Sequence, residues 1–516
     1  MPSLPVLSPD QSAAWDASAV AGGVALATLM ECAGRAAAAV LADRYAHRLR
    51  DGVLVAAGPG HNGGDGWVLA RALQRLEVPV WVTAPPGPGA ELREAMAARA
   101  RAEGVREVAP DGPWPSIGVA VDALLGTGAR GAPRAPMAAL LERILDLEVP
   151  VVAIDGPTGV DLASGISHGT AGAELSITFG GLRRGHLLAR DEVGAVVVTD
   201  IGHPPADPGW PTLVTDQQAA DWLRRLRSRD HKGDRGRVVI VGGDAGMVGA
   251  ARMAGRSAFA AGAGLVHVVA PPASVAALVQ AEPDLQTLAH PFDQPPSDAL
   301  LDLVRRADAL VIGPGLGREG SRRDLIAALA REAPAVVLDA DALVAFQGAL
   351  PELRALAARP LVLTPHPGEF RTLFPELAPG RELDPWAAAA GAAAASGATL
   401  LLKGVPTVIA RDGRPTLTVA AGNPGLATGG SGDVLSGMVG TALAQGLAPE
   451  IAAAFGAQAL GRAADLAARR SAARTLRPMD VVTALPDMWR EWEVLRLAPP
   501  VPRPPVLLEL ERPQTV

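Results

Sequence analysis

A single cysteine, Cys32, stands in the 516 residues, so no disulfide can form within the chain. It reads as a small buried apolar side chain rather than a nucleophile. So little cysteine is consistent with a reducing compartment. Aromatic residues make up only 3% of the chain, and Ala and Gly dominate instead. Cores of Ala and Val imply helices packed closely on sheets. No basic segment followed by an apolar run occupies residues 1–10, so no secretory leader is expected. The Ala-rich stretches are broken by Gly and charge, and none reads as a membrane span. The net charge is −7, and no run of Lys or Arg exceeds a few residues. That argues against a general nucleic-acid binder.

Two further scarcities are informative. Among many arginines there are two lysines, Lys232 and Lys403, and the chain has two asparagines, Asn62 and Asn423. All four stand in Gly-rich or Pro/Gly-rich loops beside apolar strands or helices. A chance scatter places such residues on helix surfaces, so these loops are candidate sites.

What is present is an alternation. Short apolar runs occur at Val53–Ala57, Val78–Thr83, Gly118–Asp122, Val151–Asp155, Leu175–Phe179 and Ala195–Thr199, with helical patterns such as Trp67–Leu76 and Glu91–Ala102 between them. An Ala-rich helical segment, Gln11–Leu49, precedes the first run. The Pro/Gly-rich stretch Pro204–Pro211 marks a boundary. A second series begins at Arg237–Val241. It continues at Leu265–Ala270, Ala309–Ile312, Ala335–Leu338, Leu361–Leu363, Thr399–Leu402 and Thr407–Ala410. Two long helices are expected within Ser431–Arg470, then a loosely ordered Pro-rich tail. Length and pattern together indicate two α/β domains with parallel, doubly wound sheets.

In the first series, Gly58–Gly66 follows a strand and opens a helix, a geometry that lets phosphate approach backbone N–H groups. A tight strand-to-helix turn explains the glycines equally well, and Asp65 can simply cap the helix. Asp122 and Asp155 each end a strand and lead into further loops. Ligands of open α/β sheets bind outside the carboxyl ends of the strands. Asn62, Asp122 and Thr158 can therefore converge as oxygen ligands of a hard cation, and Asp155 can act as a general acid or base. Separate helix or turn caps are the alternative for each Asp, but not for all of them together.

In the second series, Lys232 can reach a phosphate or be an exposed loop charge. Gly313–Gly317 follows a strand and admits close backbone approach. His366 is held between two prolines, and Lys403-Gly404 ends a strand. Asn423–Asp433 runs through Gly429, Gly430 and Gly432 into a helix. Gly is a weaker N-cap than Ser or Asp, so this run points to an anion hole at the helix start. Asp433 in the first turn can accept a proton from a hydroxyl being phosphorylated. The sequence has neither a P-loop nor the protein-kinase motifs.

Gly-x-Gly-x-Asn-Gly-Gly-Asp-Gly at 58–66, Val-Asp-Ala-Leu-Leu-Gly-Thr-Gly at 121–128 and Ile-Asp-x-Pro-Thr-Gly-Val-Asp at 154–161 resemble the NAD(P)H-hydrate epimerases. Leu29-Met30-Glu31, Ala33-Gly34, Thr178-Phe-Gly-Gly and Gly185-His186 fit as well, and the resemblance spans about residues 8–203. It implies a potassium site from Asn62, Asp122 and Thr158. It implies substrate contacts by His61, Asn62, Gly63, Gly64 and Asp65, by Gly126, Thr127, Gly128, Ala129, Arg130, Gly131 and Ala132, and by Asp155. The chain departs from the family at His61, where a second Asn is usual, at Thr158, often Ser, and near Arg183, often Lys.

The second series resembles the ribokinase-like fold. Gly-Pro-Gly-Leu-Gly, Leu338–Leu343 and Thr-Pro-His-Pro-Gly-Glu at 364–369 place it near the NAD(P)H-hydrate dehydratases over about residues 221–490. The resemblance implies adenine-nucleotide binding by Lys403, Gly404, Val405, Pro406, Thr407 and Gly432. It also implies contacts of Ala254, Gly315, His366 and Asp433 with the hydrated cofactor.

The expected organisation is a Rossmann-like epimerase domain at 1–213, a ribokinase-like dehydratase domain at 221–495 and a Pro-rich tail at 496–516. ADP is the expected phosphoryl donor, with magnesium at the dehydratase site. The expected partners are small molecules only, in a cytoplasmic homo-oligomer. Two alternatives stay open, a vitamin or sugar kinase fused to a nucleotide-binding module, and a non-catalytic first domain.

Overall fold

The structure is a computed structural model that describes residues 4–319, 322–378, 384–499, 501 and 503–514. Two compact units form, one from Met1–Trp210 with Val501–Pro513 and the other chiefly from Pro211–Pro500.

The first unit runs β1 (Leu4–Leu7), α1 (Pro9–Ala21), α2 (Leu26–Arg44), β2 (Val53–Ala57), α3 (His61–Arg75), β3 (Val80–Thr83), α4 (Glu91–Ala102) and β4 (Arg106–Glu107). It continues through β5 (Val119–Ala123), α5 (Ala135–Leu145), β6 (Val151–Ile154), β7 (Leu175–Phe179), β8 (Leu182–Arg183), α6 (Arg184–Leu188), α7 (Arg190–Val193) and β9 (Ala195–Thr199).

The second unit runs β10 (Thr212–Leu213), α8 (Asp216–Trp222), β11 (Arg237–Val241), α9 (Val248–Ala260), β12 (Leu265–Ala270), α10 (Pro272–Ala281), β13 (Gln286–Ala289), α11 (Asp298–Arg305) and β14 (Ala309–Ile312). There follow α12 (Arg322–Glu332), β15 (Val336–Leu338), α13 (Asp341–Val344), α14 (Leu350–Leu356), β16 (Leu361–Leu363), α15 (Pro367–Leu373), α16 (Pro385–Ser396), β17 (Thr399–Leu402), β18 (Thr407–Ala410) and β19 (Leu417–Val419). Three helices close it: α17 (Ser431–Ala444), α18 (Pro449–Arg470) and α19 (Pro478–Leu497). The last strand, β20 (Val506–Leu510), belongs to the first unit.

The first unit's large sheet has the order β20-β9-β7-β6-β5-β2-β3-β4. From β2 the chain steps outward to β3 and β4, then returns beside β2 at β5 and steps the other way. That reversal leaves a crevice at the carboxyl ends of β2 and β5, where Gly58 and Asp122 stand. The second unit repeats the device. β11 lies between β12 and β14, so a crevice opens at Gly242–Asp244 and Gly313–Gly317. Strands β17, β18 and β19 are antiparallel neighbours on one side of that sheet. The central strands β2, β5, β6 and β7 are buried throughout, as expected of a parallel sheet covered on both faces.

Small residues set the spacing of helix on sheet. A Cβ on Gly440 of α17 would lie 2.4 Å from Val311 Cγ2 of β14, and one on Gly437 would lie 2.1 Å from the Ala254 carbonyl oxygen of α9. Neither approach is possible with a larger residue.

Several sequence expectations change. The helical segment 11–49 is two helices meeting at 120°, broken around Gly22-Gly23, where Gly23 takes φ +95°. Helix α3 starts at His61, not Trp67, so most of the Gly-rich loop is helix. Cys32 is exposed, not buried, because it faces outward while Met30, Ala33 and Gly34 take the inner face of α2. The tail is not loose over its described part. β20 pairs antiparallel with β9, Leu508 opposite Val198, and so covers what would be an open edge of the sheet. Residues 500, 502, 515 and 516 of that tail lie outside the described residues. Among the described residues, no single helix is long and apolar enough to cross a membrane.

Candidate active sites

The first crevice is built by close backbone contacts. A Cβ on Gly58 would sit 1.8 Å from the Leu124 carbonyl oxygen, and one on Gly63 would sit 2.0 Å from the Gly58 oxygen. Only glycine lets the first turn of α3 fold back onto β2 and meet the loop after β5. Gly126 then lies between two of the anticipated residues. A Cβ there would be 3.2 Å from Asp155 Oδ2 and 3.3 Å from Asn62 Cγ.

Asp122 and Thr158 form one cluster. Thr158 donates to Asp122 through Oγ1 (2.8 Å) and through its backbone N–H (2.7 Å), and Leu124 N–H adds a third bond at 3.1 Å. Burial nonetheless pushes the Asp122 carboxyl above its usual range, against those bonds. Asn62 donates from Nδ2 to the Ile154 carbonyl at 3.1 Å, while its Oδ1 is buried with no hydrogen-bond partner. The orphaned Asn62 oxygen, the Asp122 carboxylate and the Thr158 hydroxyl are each oxygen donors of the kind a hard cation takes.

Asp155 takes φ +65°, a left-handed conformation unusual for a residue with a side chain. Its Oδ2 accepts from the Thr127 N–H at 2.8 Å and from the Thr127 hydroxyl. Its Oδ1 accepts from Thr178 Oγ1 at 3.2 Å and lies 3.5 Å from Arg183 Nη2. Burial raises its pKa, but the Arg183 guanidinium and the Thr127 bonds more than offset that, and the carboxylate is held below its usual range. Behind it, His186 is fully buried, accepts from the Arg183 N–H at Nδ1 (2.9 Å) and meets the Asp155 carbonyl at Nε2 (2.6 Å). Burial depresses His186 to about 4, so it stays neutral at pH 7.

A cavity of about 510 Å³ opens onto these groups. Of the anticipated residues, His61, Asn62, Asp65, Gly126, Thr127, Gly128, Ala129 and Asp155 line it. Gly63 and Gly64 are packed behind the wall, Gly64 against Met30. Asp122 and Thr158 lie buried next to the lining, while Arg130, Gly131 and Ala132 are exposed on the loop beyond it. Asp65 is not a helix cap, since the N-cap is Gly60 and Asp65 comes after the first turn. The opposite wall, which motif reading missed, carries Ser12 and Asp16 of α1 and His203. His203 stacks on Trp15 at 4.3 Å between ring centroids and meets Asp16 Oδ1 at 2.7 Å. Nothing local in the sequence ties α1 to a loop near residue 203.

The second crevice centres on the start of α17. Gly430 takes φ +101°, and Asp433 sits in the helix's first turn. Lys403, at the end of β17, places Nζ 2.9 Å from Asp339 Oδ1 and 3.7 Å from Glu369 Oε2. A Cβ on Gly432 would lie 3.3 Å from that Nζ, so the lysine and the helix N-terminus face the same space. Burial lowers the Lys403 pKa, but Asp339 and Glu369 more than offset it and keep the amine charged. Asp433 is pushed up to about 7, first by burial and then by Asp339, despite Lys403. Asp339, beside Lys403 and bonded to Thr364 Oγ1 at 2.8 Å, lies within the Leu338–Leu343 motif, but nothing local in the sequence assigns it a role.

His366 is the N-cap of α15. Its Nδ1 accepts from the Gly368 N–H at 2.9 Å, and Glu369 Oε2 accepts from the His366 N–H at 2.9 Å. In that capping box the ring is exposed, and its Nε2 lies 3.5 Å from Glu369 Oε1. Gly315, at φ +60°, sits in the crevice, where its oxygen accepts from Asp244 N–H at 2.7 Å. Lys403 to Thr407 form the turn from β17 into β18, with Val405 74% exposed. Across that turn the Thr407 hydroxyl accepts from the Gly404 N–H at 3.4 Å and donates to the Gly404 carbonyl at 3.1 Å.

Lys232 and Asn423 stand apart from this cluster, and Ala254 lies beneath it. Ala254 is wholly buried, with its carbonyl packed under Gly437 of α17. Lys232 lies at the opposite end of the sheet, where Gly236 packs on Ala444 at the far end of α17. Asn423 is a structural cap, bonded to the Gly425 N–H at 3.0 Å and to Asp465 at 3.0 Å.

Comparison with known proteins agrees with both halves. The family described as YjeF-related protein N-terminus matches residues 26–185, and the family described as NAD(P)H-hydrate dehydratase matches 238–487. The chain is similar to the bifunctional NAD(P)H-hydrate repair enzyme of Escherichia coli K12, 36% identical over 477 residues, which cover 90% of this chain and 89% of that one. It is 35% identical over 484 residues to the bifunctional NAD(P)H-hydrate repair enzyme of Coxiella burnetii, covering 90% and 95% of the two chains. Among solved structures, the ADP/ATP-dependent NAD(P)H-hydrate dehydratase from Bacillus subtilis co-crystallised with ATP and Mg2+ is 27% identical, with a TM-score of 0.47, covering 54% of this chain and 98% of that one.

Proposed function

The chain belongs to the bifunctional NAD(P)H-hydrate repair enzymes, and from that premise we propose how its two sites divide the work. The substrate is NADH or NADPH carrying a hydroxyl on carbon six of the reduced nicotinamide ring. The enzyme interconverts the R and S hydrates and uses a nucleotide to return the S form to NAD(P)H. We assign epimerisation to residues 1–213 and dehydration to residues 221–495.

In the dehydratase site, Asp433 takes the hydroxyl proton as a phosphoryl group passes from the nucleotide to that oxygen. The N–H groups at the start of α17 and the Lys403 amine hold the phosphates. Phosphate then departs with the carbon–oxygen bonding pair, pushed by the ring nitrogen, and a proton leaves carbon five. With ADP as donor the other product is AMP. His366 and Gly315 face the hydrate, and Gly404 to Thr407 with Gly432 face the nucleotide. Among the described residues no group of three or more His, Cys, Asp or Glu side chains is arranged to cage a metal ion. Magnesium would bind through one or two carboxylates and the substrate phosphates. When bound, it neutralises charge on the transferring group. The observation that carries the assignment is Asp433, half-buried in the first turn of a helix that starts at a glycine run, with the Lys403 amine facing the same space.

In the epimerase site, Asp155 moves the proton of the hydroxyl, and the loops 61–65 and 126–132 hold the substrate. Asn62, Asp122 and Thr158 would hold potassium, which would supply a fixed positive charge to the site. Replacing potassium with a bulky organic cation should slow epimerisation, and Asn62→Ala should remove that dependence. Dependence unchanged in the variant would rule this ligand set out. We place the enzyme in the cytoplasm as a homo-oligomer acting on small molecules alone.

The test is recovery of near-ultraviolet absorbance from a known mixture of both hydrates, with magnesium and either ADP or ATP. Recovery to completion supports both activities and identifies the donor. Recovery that stops at the share of the reactive epimer leaves a dehydratase alone.

A further inference from the structure

We propose that Asp65 is the proton donor of the epimerase site, working opposite Asp155 to open and reclose the hydrated nicotinamide ring at carbon six. The proposal rests on the reading that residues 1–213 epimerise the hydrate.

The two carboxyls face one cavity but are treated in opposite ways. Asp155 is surrounded by donors and a cation: Thr127 through N–H and hydroxyl, Thr178 at 3.2 Å, Arg183 at 3.5 Å. Asp65 projects from α3 after its first turn, and among the described residues no hydrogen-bond donor or cation reaches its carboxyl. Asp65 is half-buried in the cavity wall, and a carboxylate drawn partly out of water with no donor is disfavoured relative to the neutral acid. The charged groups around it point the same way. Asp155 and Asp16 of α1 share the cavity and repel an anion at Asp65. Arg183 is committed to Asp155, and Arg93 of α4 to Glu94 and the Gly58 carbonyl. His61 and His203 line the same cavity, and His203 is engaged by Asp16. Burial, then Asp155, then Asp16 raise the Asp65 carboxyl well above its usual range. Carboxyls pushed apart in this way take the separate roles of acid and base.

Carbon six of the hydrate bears both the hydroxyl and ring nitrogen one. Asp155 removes the hydroxyl proton, and the carbon–oxygen bond becomes a carbonyl. The bond from carbon six to nitrogen one breaks, and its electron pair goes to nitrogen, which takes the proton from Asp65. The freed aldehyde turns about the bond between carbons five and six. Nitrogen then adds to its other face, with both proton transfers reversed. Nothing is oxidised or lost, and both carboxyls return to their starting states.

The experiment uses the full chain without nucleotide, so that dehydration cannot run, and follows conversion of purified R hydrate to S by chromatography across pH. Unaltered protein should lose kcat on the alkaline side as Asp65 ionises. Asp65→Asn should lower kcat roughly 10²–10⁴-fold, with KM held within about threefold. Asp65→Glu should retain turnover with its alkaline limb displaced. A raised KM at unchanged kcat in Asp65→Asn makes Asp65 a binding contact and overturns the proposal, as does a kcat above about a tenth of the original. If the Asn variant does not fold, an Asp65→Glu profile with the alkaline limb unmoved overturns it as well. Absence of interconversion by the unaltered chain removes the underlying reading itself, an outcome distinct from the others.

Discussion

Asp433 and Asp155 both stand at the mouth of a parallel sheet, yet their surroundings drive them apart. Asp433 sits near Asp339, Asp341 and Glu369 and rises to about 7. Asp155 is gripped by Arg183 and Thr127 and falls below the usual range. As a base, Asp433 must be ionised, so kcat/KM for dehydration should decline about tenfold per pH unit below about 7. A profile flat from pH 5 to 8 would contradict the role. Asp433→Asn should cut dehydration roughly 10²–10⁴-fold while nucleotide binding, measured by calorimetry, survives. Asp155→Ala should abolish epimerisation and leave dehydration of the S hydrate intact, and parallel loss of both would argue against separate sites. Asp433, Asp155, Asn62 and Lys403 were legible because each stands at a strand end or beside a glycine run. His203 and Asp16 carry no such mark, because charged residues beside ordinary loops give no local sign of what they will face.

At the level of elements, α3 and α17 do the same work with different glycines. Gly58 and Gly63 bring α3 onto β2, and Gly437 and Gly440 bring α17 onto α9 and β14. Gly437→Ala places a methyl 2.1 Å from a backbone oxygen. It should destabilise the second unit by about 1–3 kcal/mol, read as a lower urea midpoint for dehydratase inactivation. Unchanged stability would mean that α9 can move away. The core strands were readable as runs of Val, Leu, Ile and Ala. The strands β1, β4, β8, β10, β13 and β19 escaped because each is too brief, too polar or, in β1, too broken by Pro5 to stand out as an apolar run. The start of α3 escaped for another reason. Glycine's poor helix propensity argued for a loop, and tertiary packing overrode it.

For the whole molecule, the feature least visible beforehand is the return of β20 to the first unit's sheet. Leu508→Pro should break that pairing and destabilise the first unit by about 0.5–3 kcal/mol. Thermal inactivation of epimerisation should then come earlier while dehydration holds. Earlier loss of dehydration instead would assign the strand to the wrong unit. The order of apolar runs and glycine turns was enough to establish two α/β halves and to bring attention to their strand ends, because strand burial and turn chemistry are written in neighbouring residues. Which strands lie side by side, which wall closes the cavity and which carboxyl carries the proton were decided only by tertiary structure. Those outcomes depend on burial and on charges brought together from distant segments, such as Asp16 with His203 or Lys403 with Asp339, and no local pattern encodes such a meeting.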